Sequence, residues 1–431
     1  MQLSMLRRLT IVLICWCCFN SSILNAQDGR ITVTPLSEIL GDAASENGLR
    51  TAVISPDGET IAWYERDDTL SICLYSLETA QKECYPDTSD SSWAPTSGLR
   101  WSPNSRYISF HPNFSQQFRE PDIWVFDTEN HQFTNYTDDG FSGGLTMLRG
   151  PEGKDPAHDI LPVWNPQVEN ELYFFRITKG AEGFETALYL LNIESSEVQL
   201  VQDLSSILPL GISVYDAAGA EIQMLSGRAA ISSDGTHMVF IVIHPDYEEP
   251  RNGIWLLDLT GETQPRQIGS LSLTDTGFPT WQDDTLQFPN GLGWLSNTTL
   301  VVSTLSNQVS NVGISGNIYI INIETEAITP LMDFSPYSRD QLYEPDETGY
   351  APFMRIPTGS VLFADGTMFG LRLAGERQML VSHFKNFEAP TMPTILYDNP
   401  FAEGTVFGME TASASSDGKA IIFGLLIELS N

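Results

Sequence analysis

Apolar residues along this chain come in short runs, paired across a tight turn. The clearest pair is Ala52-Val53-Ile54 and Ile61-Ala62-Trp63, joined by Ser55-Pro56-Asp57-Gly58. Pro56 presets φ at the second turn position, the Asp57 side chain bonds back to its own backbone, and Gly58 accepts positive φ. Two strands joined in this way form a hairpin. The pattern returns at Trp101-Ser102-Pro103-Asn104, Val163-Trp164-Asn165-Pro166, Ile231-Ser232-Ser233-Asp234-Gly235, Trp294-Leu295-Ser296-Asn297 and Ala414-Ser415-Ser416-Asp417-Gly418. Most hairpins are followed by two further short apolar stretches, as in residues 70–76 and 81–85, or 122–127 and 132–136. The predicted unit is therefore four short antiparallel strands, restarting every roughly 50 to 65 residues.

Such a unit buries too little alone, and packing on its neighbours supplies the core. Radial repetition of four-stranded antiparallel blades gives an all-β propeller. A string of β-sandwich domains would need a longer period, about 100 residues. The sixth unit is the most degenerate, read as 354–359, 361–364, 367–373 and 378–383. The seventh shows only the hairpin around Ser416, Asp417 and Gly418. The alternating run Ile31-Thr32-Val33-Thr34 is placed to complete that last blade from the other end of the chain. Seven blades are expected on this ground, with six blades plus an accessory hairpin as the alternative.

Composition then narrows the setting. Residues 1–26 read as a secretory signal: Arg7 and Arg8, an apolar stretch from Leu9 to Phe19, and a small residue, Ala26, at the cleavage point. Residues 27–431 are then one propeller domain, secreted, periplasmic or held in the cell envelope. No later stretch is long and apolar enough for a membrane helix. Only Cys73 and Cys84 lie beyond the leader. A hairpin centred between Glu78 and Thr79 sets them directly opposite, and export supplies an oxidising compartment, so a cross-strand disulfide is expected. The net charge of −33 opposes nucleic acid and anionic membrane surfaces as partners. Its plain role is solubility, and any charged partner it recruits is a cation or a basic protein.

The turns Ser55-Pro56-Asp57-Gly58, Ser102-Pro103-Asn104, Asn165-Pro166, Ser233-Asp234-Gly235 and Ser416-Asp417-Gly418, with their flanking apolar runs, resemble the repeats of the TolB-like, WD40-like (PD40) propeller family. The resemblance spans most of residues 50–425. It implies an exported, non-enzymatic scaffold for protein or peptide partners. The same repeats resemble the propellers that precede the hydrolase domain of prolyl oligopeptidase-like enzymes.

Candidate chemistry is thin. Asp57, Asp234 and Asp417 occupy the same turn of separate units, so they cap their own hairpins and form no carboxylate pair. Gly140-Phe141-Ser142-Gly143-Gly144 matches a nucleophile pattern but follows a blade's last strand, without the strand–turn–helix context that chemistry needs. The histidines His111, His131, His158, His237, His244 and His383 show no metal-ligand spacing. Trp63, Trp101, Trp124, Trp164, Trp255 and Trp294 recur at matching strand positions and suit packing between blades. No catalytic residue, metal or cofactor is assigned. The expected function is a monomeric, non-catalytic binding scaffold, with a partner docking on loops at one face, 137–158 and 203–227 among them. The alternative is an enzyme acting on glycans through acids lining the channel.

Overall fold

The computed structural model describes residues 24–26, 29–40, 51–66, 70–87, 99–110, 122–140, 157–179, 184–207, 225–242, 250–270, 287–306, 309–310, 313–314, 318–330, 359–362, 367–374, 378–385, 395–398, 413–416, 420–422 and 425–430. Among these residues the strands form antiparallel sheets in chain order. The first holds Val53–Ile54, Thr60–Arg66, Leu70–Ser76 and Gln81–Pro86, and the second Arg100–Trp101, Tyr107–Phe110, Trp124–Asp127 and Gln132–Asn135. The third holds Ala157–Trp164, Glu171–Lys179, Phe184–Asn192 and Glu197–Asp203, and the fourth Leu225–Ile231, His237–Val242, Gly253–Asp258 and Arg266–Ser270. The fifth holds Gln287–Ser296, Thr299–Ser306, Ile318–Asn322 and Ile328–Pro330, and the sixth Gly359–Leu362, Thr367–Ala374, Gln378–Lys385 and Ile395–Asp398.

The seventh sheet joins the two ends of the described chain. Ser413–Ala414, Ala420–Ile422 and Leu425–Ser430 are continued by Gly29–Pro35, whose Thr32 faces Glu428 and whose Val33 faces Ile427. Leu24–Ala26 adds a fifth strand outside Gly29–Pro35. The expected closure by residues 31–34 is thus present, and Leu425–Ser430 supplies a strand that the sequence pattern had not marked.

Alternation buries one set of side chains on each face, and neighbouring sheets pack face to face over them. Val53, Ala62 and Ile72 of the first sheet meet Leu99, Ile108, Phe110 and Phe126 of the second. Phe175 and Leu188 of the third meet Phe240 and Leu257 of the fourth, and Val239 and Ile254 meet Val302, Tyr319 and Ile321 of the fifth. The short helix Leu36–Leu40 packs Leu36 and Leu40 against Ile54, Ile61 and Trp63. First strands touch from the second sheet round to the seventh, and the seventh touches the first. This radial order is the β-propeller fold.

In the sixth unit the observed strands sit one place later than the sequence reading had them. Gly359–Leu362 is the first strand, and Asp365-Gly366 lies in the connection to Thr367–Ala374. Gly359 of Pro357-Thr358-Gly359 opens the first strand instead of turning out of it.

Candidate functional site

Antiparallel order sends the first-to-second and third-to-fourth connections to one end of the ring, and all others to the opposite end. The first end is built of short turns, among them 77–80, 128–131, 193–196 and 232–236. The opposite end receives the long connections 87–99, 136–156, 204–224, 271–286, 331–358 and 399–412. The connections between sheets therefore all leave from the second end, whereas those at the first run from two to nine residues.

At the turn end three of the described hairpins are capped in the same way. The fully buried Ser55 hydroxyl donates to Asp57, accepts Thr60 N at 3.0 Å, and Asp57 Oδ1 accepts Glu59 N at 3.0 Å. Ser102 and Ser232 repeat this arrangement, donating at 2.6 Å to Asn104 and Asp234 and accepting from Tyr107 N at 2.8 Å and His237 N at 2.9 Å. Gly58 and Gly235 carry φ of 77° and 73°, and Ser105 takes the equivalent conformation at 60°. In two repeats the sequence reading starts the turn one residue late, at Ser233 and Ser416. Ser232 and Ser415 are the counterparts of Ser55, and both are buried.

The turns also clasp one another around the ring. Asp57 N donates to Ser105 Oγ (3.1 Å), Asn104 Nδ2 to Glu169 Oε2 (3.2 Å), Gln167 Nε2 to Ser233 O (2.6 Å) and Ser233 Oγ to Asn297 Oδ1 (2.7 Å). Ser416 donates twice to Pro56 O, from N at 2.7 Å and Oγ at 2.6 Å, which ties the seventh sheet to the first. Asn165 caps its turn through Gln167 N at 3.0 Å, Pro103 and Pro166 stand at the second turn positions, and Asp417 and Gly418 lie outside the described residues. Two of the six tryptophans bridge blades by hydrogen bonds, while Trp63 and Trp255 bond within their own blades, to Glu65 and Arg251 O. Trp164 Nε1 donates to Arg100 O and Trp294 Nε1 to Ala230 O, each at 3.0 Å and each in the preceding sheet. Cys73 faces Cys84 in register and the two are disulfide-bonded.

The loop end holds a buried polar network between the second and third sheets. Asp122 precedes Trp124–Asp127, Asn135 ends Gln132–Asn135, Asp159 lies near the start of Ala157–Trp164, and Arg176 lies near the end of Glu171–Lys179. Asn135 Nδ2 donates to Asp122 Oδ2 at 2.8 Å, and Asn135 Oδ1 accepts Thr137 N at 3.1 Å. Thr137 Oγ1 accepts Ile123 N at 2.9 Å, and the Thr137 hydroxyl bonds Asp159. Arg176 grips Asp159 with two bonds, Nε at 2.7 Å and Nη2 at 2.6 Å. Asp139 Oδ2 accepts Ala157 N at 2.8 Å, joining the exit of one blade to the entrance of the next.

Charge in this network does not balance. Asp122 is 2% exposed and Asp159 is 0% exposed, yet the only cation bonded here among the described residues is the half-buried Arg176. Burial pushes the Asp122 carboxyl up to about 8, and the charges of Asp159, Asp139 and Asp138 add to the rise against the Asn135 bond. Burial raises Asp159 too, opposed by the bonds and charge of Arg176. With the guanidinium in contact, Asp159 carries the negative charge and Asp122 keeps a proton at neutral pH.

No histidine had pointed to this site except His158, which is buried beside Asp159. His131 stacks on Tyr85 at 4.0 Å, and His237 Nδ1 lies 2.7 Å from Thr236 Oγ1, both at the turn end. His111, His244 and the side chain of His383 lie outside the described residues, as do residues 141–144 of the Gly-x-Ser-x-Gly match. Two signals were available for the network. Asp122-Ile123 and Asp159-Ile160 each place an acid at the mouth of an apolar strand, and Arg176 interrupts the apolar run Tyr173–Ile177. A charge so placed needs a partner.

Comparison with solved structures follows the fold. An oligogalacturonate lyase from Vibrio parahaemolyticus is 12% identical, with a TM-score of 0.51 over 94% of this chain and 95% of that chain. An oligogalacturonate lyase in complex with manganese is 13% identical, with a TM-score of 0.53 over 95% of each chain. The β-propeller domain of the Trilobed protease from Pyrococcus furiosus is 11% identical, with a TM-score of 0.43 over 86% of this chain and 88% of that chain. No family model matches the chain, and no curated protein does. At these identities the likeness establishes the β-propeller fold alone. It also corrects one expectation. A non-catalytic role had been inferred from the want of an attached hydrolase domain, but the lyases match the chain nearly end to end, so a propeller of this extent is itself an enzyme in other proteins. The fold is no argument against catalysis.

Proposed function

We propose that this chain is an exported propeller of the TolB-like repeat type, led by a signal over residues 1–26, whose loop end binds a protein or peptide partner. The observation that supports the reading is the asymmetry of the ring. One end is spent on self-capped turns bonded to one another, and the connections long enough to shape a binding surface emerge at the other. The seven sheets close as one seven-bladed monomer of residues 27–431. The net charge of −33 favours partner segments bearing Lys and Arg.

The test immobilises residues 27–431 and exposes them to envelope and secreted extract, with free protein as competitor. A partner lost when residues 141–156 are replaced by a Gly-Ser linker, and kept in the turn-end variant Glu194→Gln/Glu197→Gln, supports the reading. Retention of nothing at low and moderate salt, or a partner indifferent to the loop, counts against it.

A second reading draws on Asp122, a carboxylic acid that keeps its proton at neutral pH and so has the character of a general acid. In that reading the loop end acts on an acidic glycan, as the similar lyases act on oligogalacturonate. Growth of ultraviolet absorbance from an unsaturated product, with oligogalacturonate and manganese supplied, and its loss in Asp122→Asn, distinguishes it from simple binding.

A further inference from the structure

The network between the second and third sheets is more than a structural tie, because its parts cannot all be charged at once. Two buried carboxylates stand by one half-buried guanidinium among the described residues, and that guanidinium, of Arg176, is already committed by two bonds to Asp159. The bonds that hold the loop end of this junction pass through the same residues. Asn135 links Asp122 to Thr137, Thr137 links Ile123 to Asp159, and Asp139 holds Ala157. We infer that Asp122 is a proton switch for this junction: protonated, it lets the two blades close on the single Asp159–Arg176 pair, and ionised, it forces a second buried negative charge between them and loosens the strand starts at Ile123 and Ala157.

The charged groups that act on Asp122 from the packed elements are Asp138 and Asp139 after the fourth strand, Asp159 on the first strand of the next blade, with buried His158 beside it in the chain, and Arg176 on the second strand. Three of these are acids that oppose ionisation, and the one guanidinium among the described residues is occupied. Burial and those charges place the transition near pH 8, inside the range an exported protein meets. Where the loop end is the binding face, partner affinity falls as pH rises through this transition. That consequence rests on the proposed function, whereas the opening of the junction does not.

The test is amide hydrogen exchange by mass spectrometry on the full chain, corrected for the intrinsic pH dependence, from about pH 6 to about pH 9. In the wild type, protection over 122–140 and 157–164 is expected to fall by up to about tenfold per pH unit as pH rises towards about 8 and to level off above it, while 237–242 and 253–258 hold theirs. Asp122→Asn keeps the shape and the bond from Asn135 and should abolish the fall. Should Asp122→Asn not fold, Asp138→Asn serves: it removes a repelling charge and should make the fall level off at lower pH. Unchanging protection in the wild type, or the same fall at the same pH in the variants, overturns the switch. If the exchange behaves as expected but partner binding shows no pH dependence, the switch stands and the loop-end reading fails.

Discussion

At the residue scale, two kinds of buried polar group do opposite things. The turn serines are fully satisfied. Ser232 Oγ bonds Asp234 Oδ1 and accepts His237 N, so Ser232→Ala should cost about 1 to 3 kcal/mol, read as a lower urea midpoint with an unchanged slope. Asp122 is buried with a surplus of like charge around it. Its carboxyl lies far above the unfolded value, so between about pH 4 and pH 8 the native state holds a proton that the unfolded state has lost. Stability from this group is complete at acid pH and drains as pH rises through about 8. Unfolding free energy measured across that interval should fall with a slope of at most about 1.4 kcal/mol per pH unit, and Asp122→Asn should flatten it. An equal slope in both proteins would assign the loss to other groups.

At the element scale, the sequence carried what is local and hid what is not. Gly58 and Gly235 were recognisable because positive φ selects glycine, and the Cys73–Cys84 pairing followed from where the 77–80 turn falls. Ser232 and Ser415 were missed because a hydroxyl's role depends on the bonds it makes, and serine beside serine gives no clue to which one turns inward. The sixth unit slipped by one strand because two turn-like segments competed and the Asp-Gly pair was passed over. The Asp122 network brings four strands of two sheets together, a pairing that no spacing rule in one chain expresses. The disulfide staples the third and fourth strands of the first sheet, across 11 residues. In the chain-entropy account, Cys84→Ser should cost about 3 kcal/mol, and reducing the wild type should cost the same. A small effect of both would show that the hairpin is held by its ladder alone.

At the scale of the whole molecule, closure depends on two contacts between the ends of the described chain. Gly29–Pro35 pairs with Leu425–Ser430, and Ser416 bonds Pro56 O. Removal of residues 1–35 should therefore leave the third, fourth and fifth sheets packed and open the seam beside the first. Cooperative melting should become biphasic, with early loss of protection over 413–430 and 53–66. The ring so closed presents turns at one end and loops at the other, and this division is the foundation of the functional account. The measurement that tests it most directly is an exchange footprint of a bound partner on the full chain. The account predicts new protection over 122–140, 157–164 and the other loop-end segments, with 55–58, 102–105 and 165–170 unchanged. Protection confined to the turn segments would contradict it.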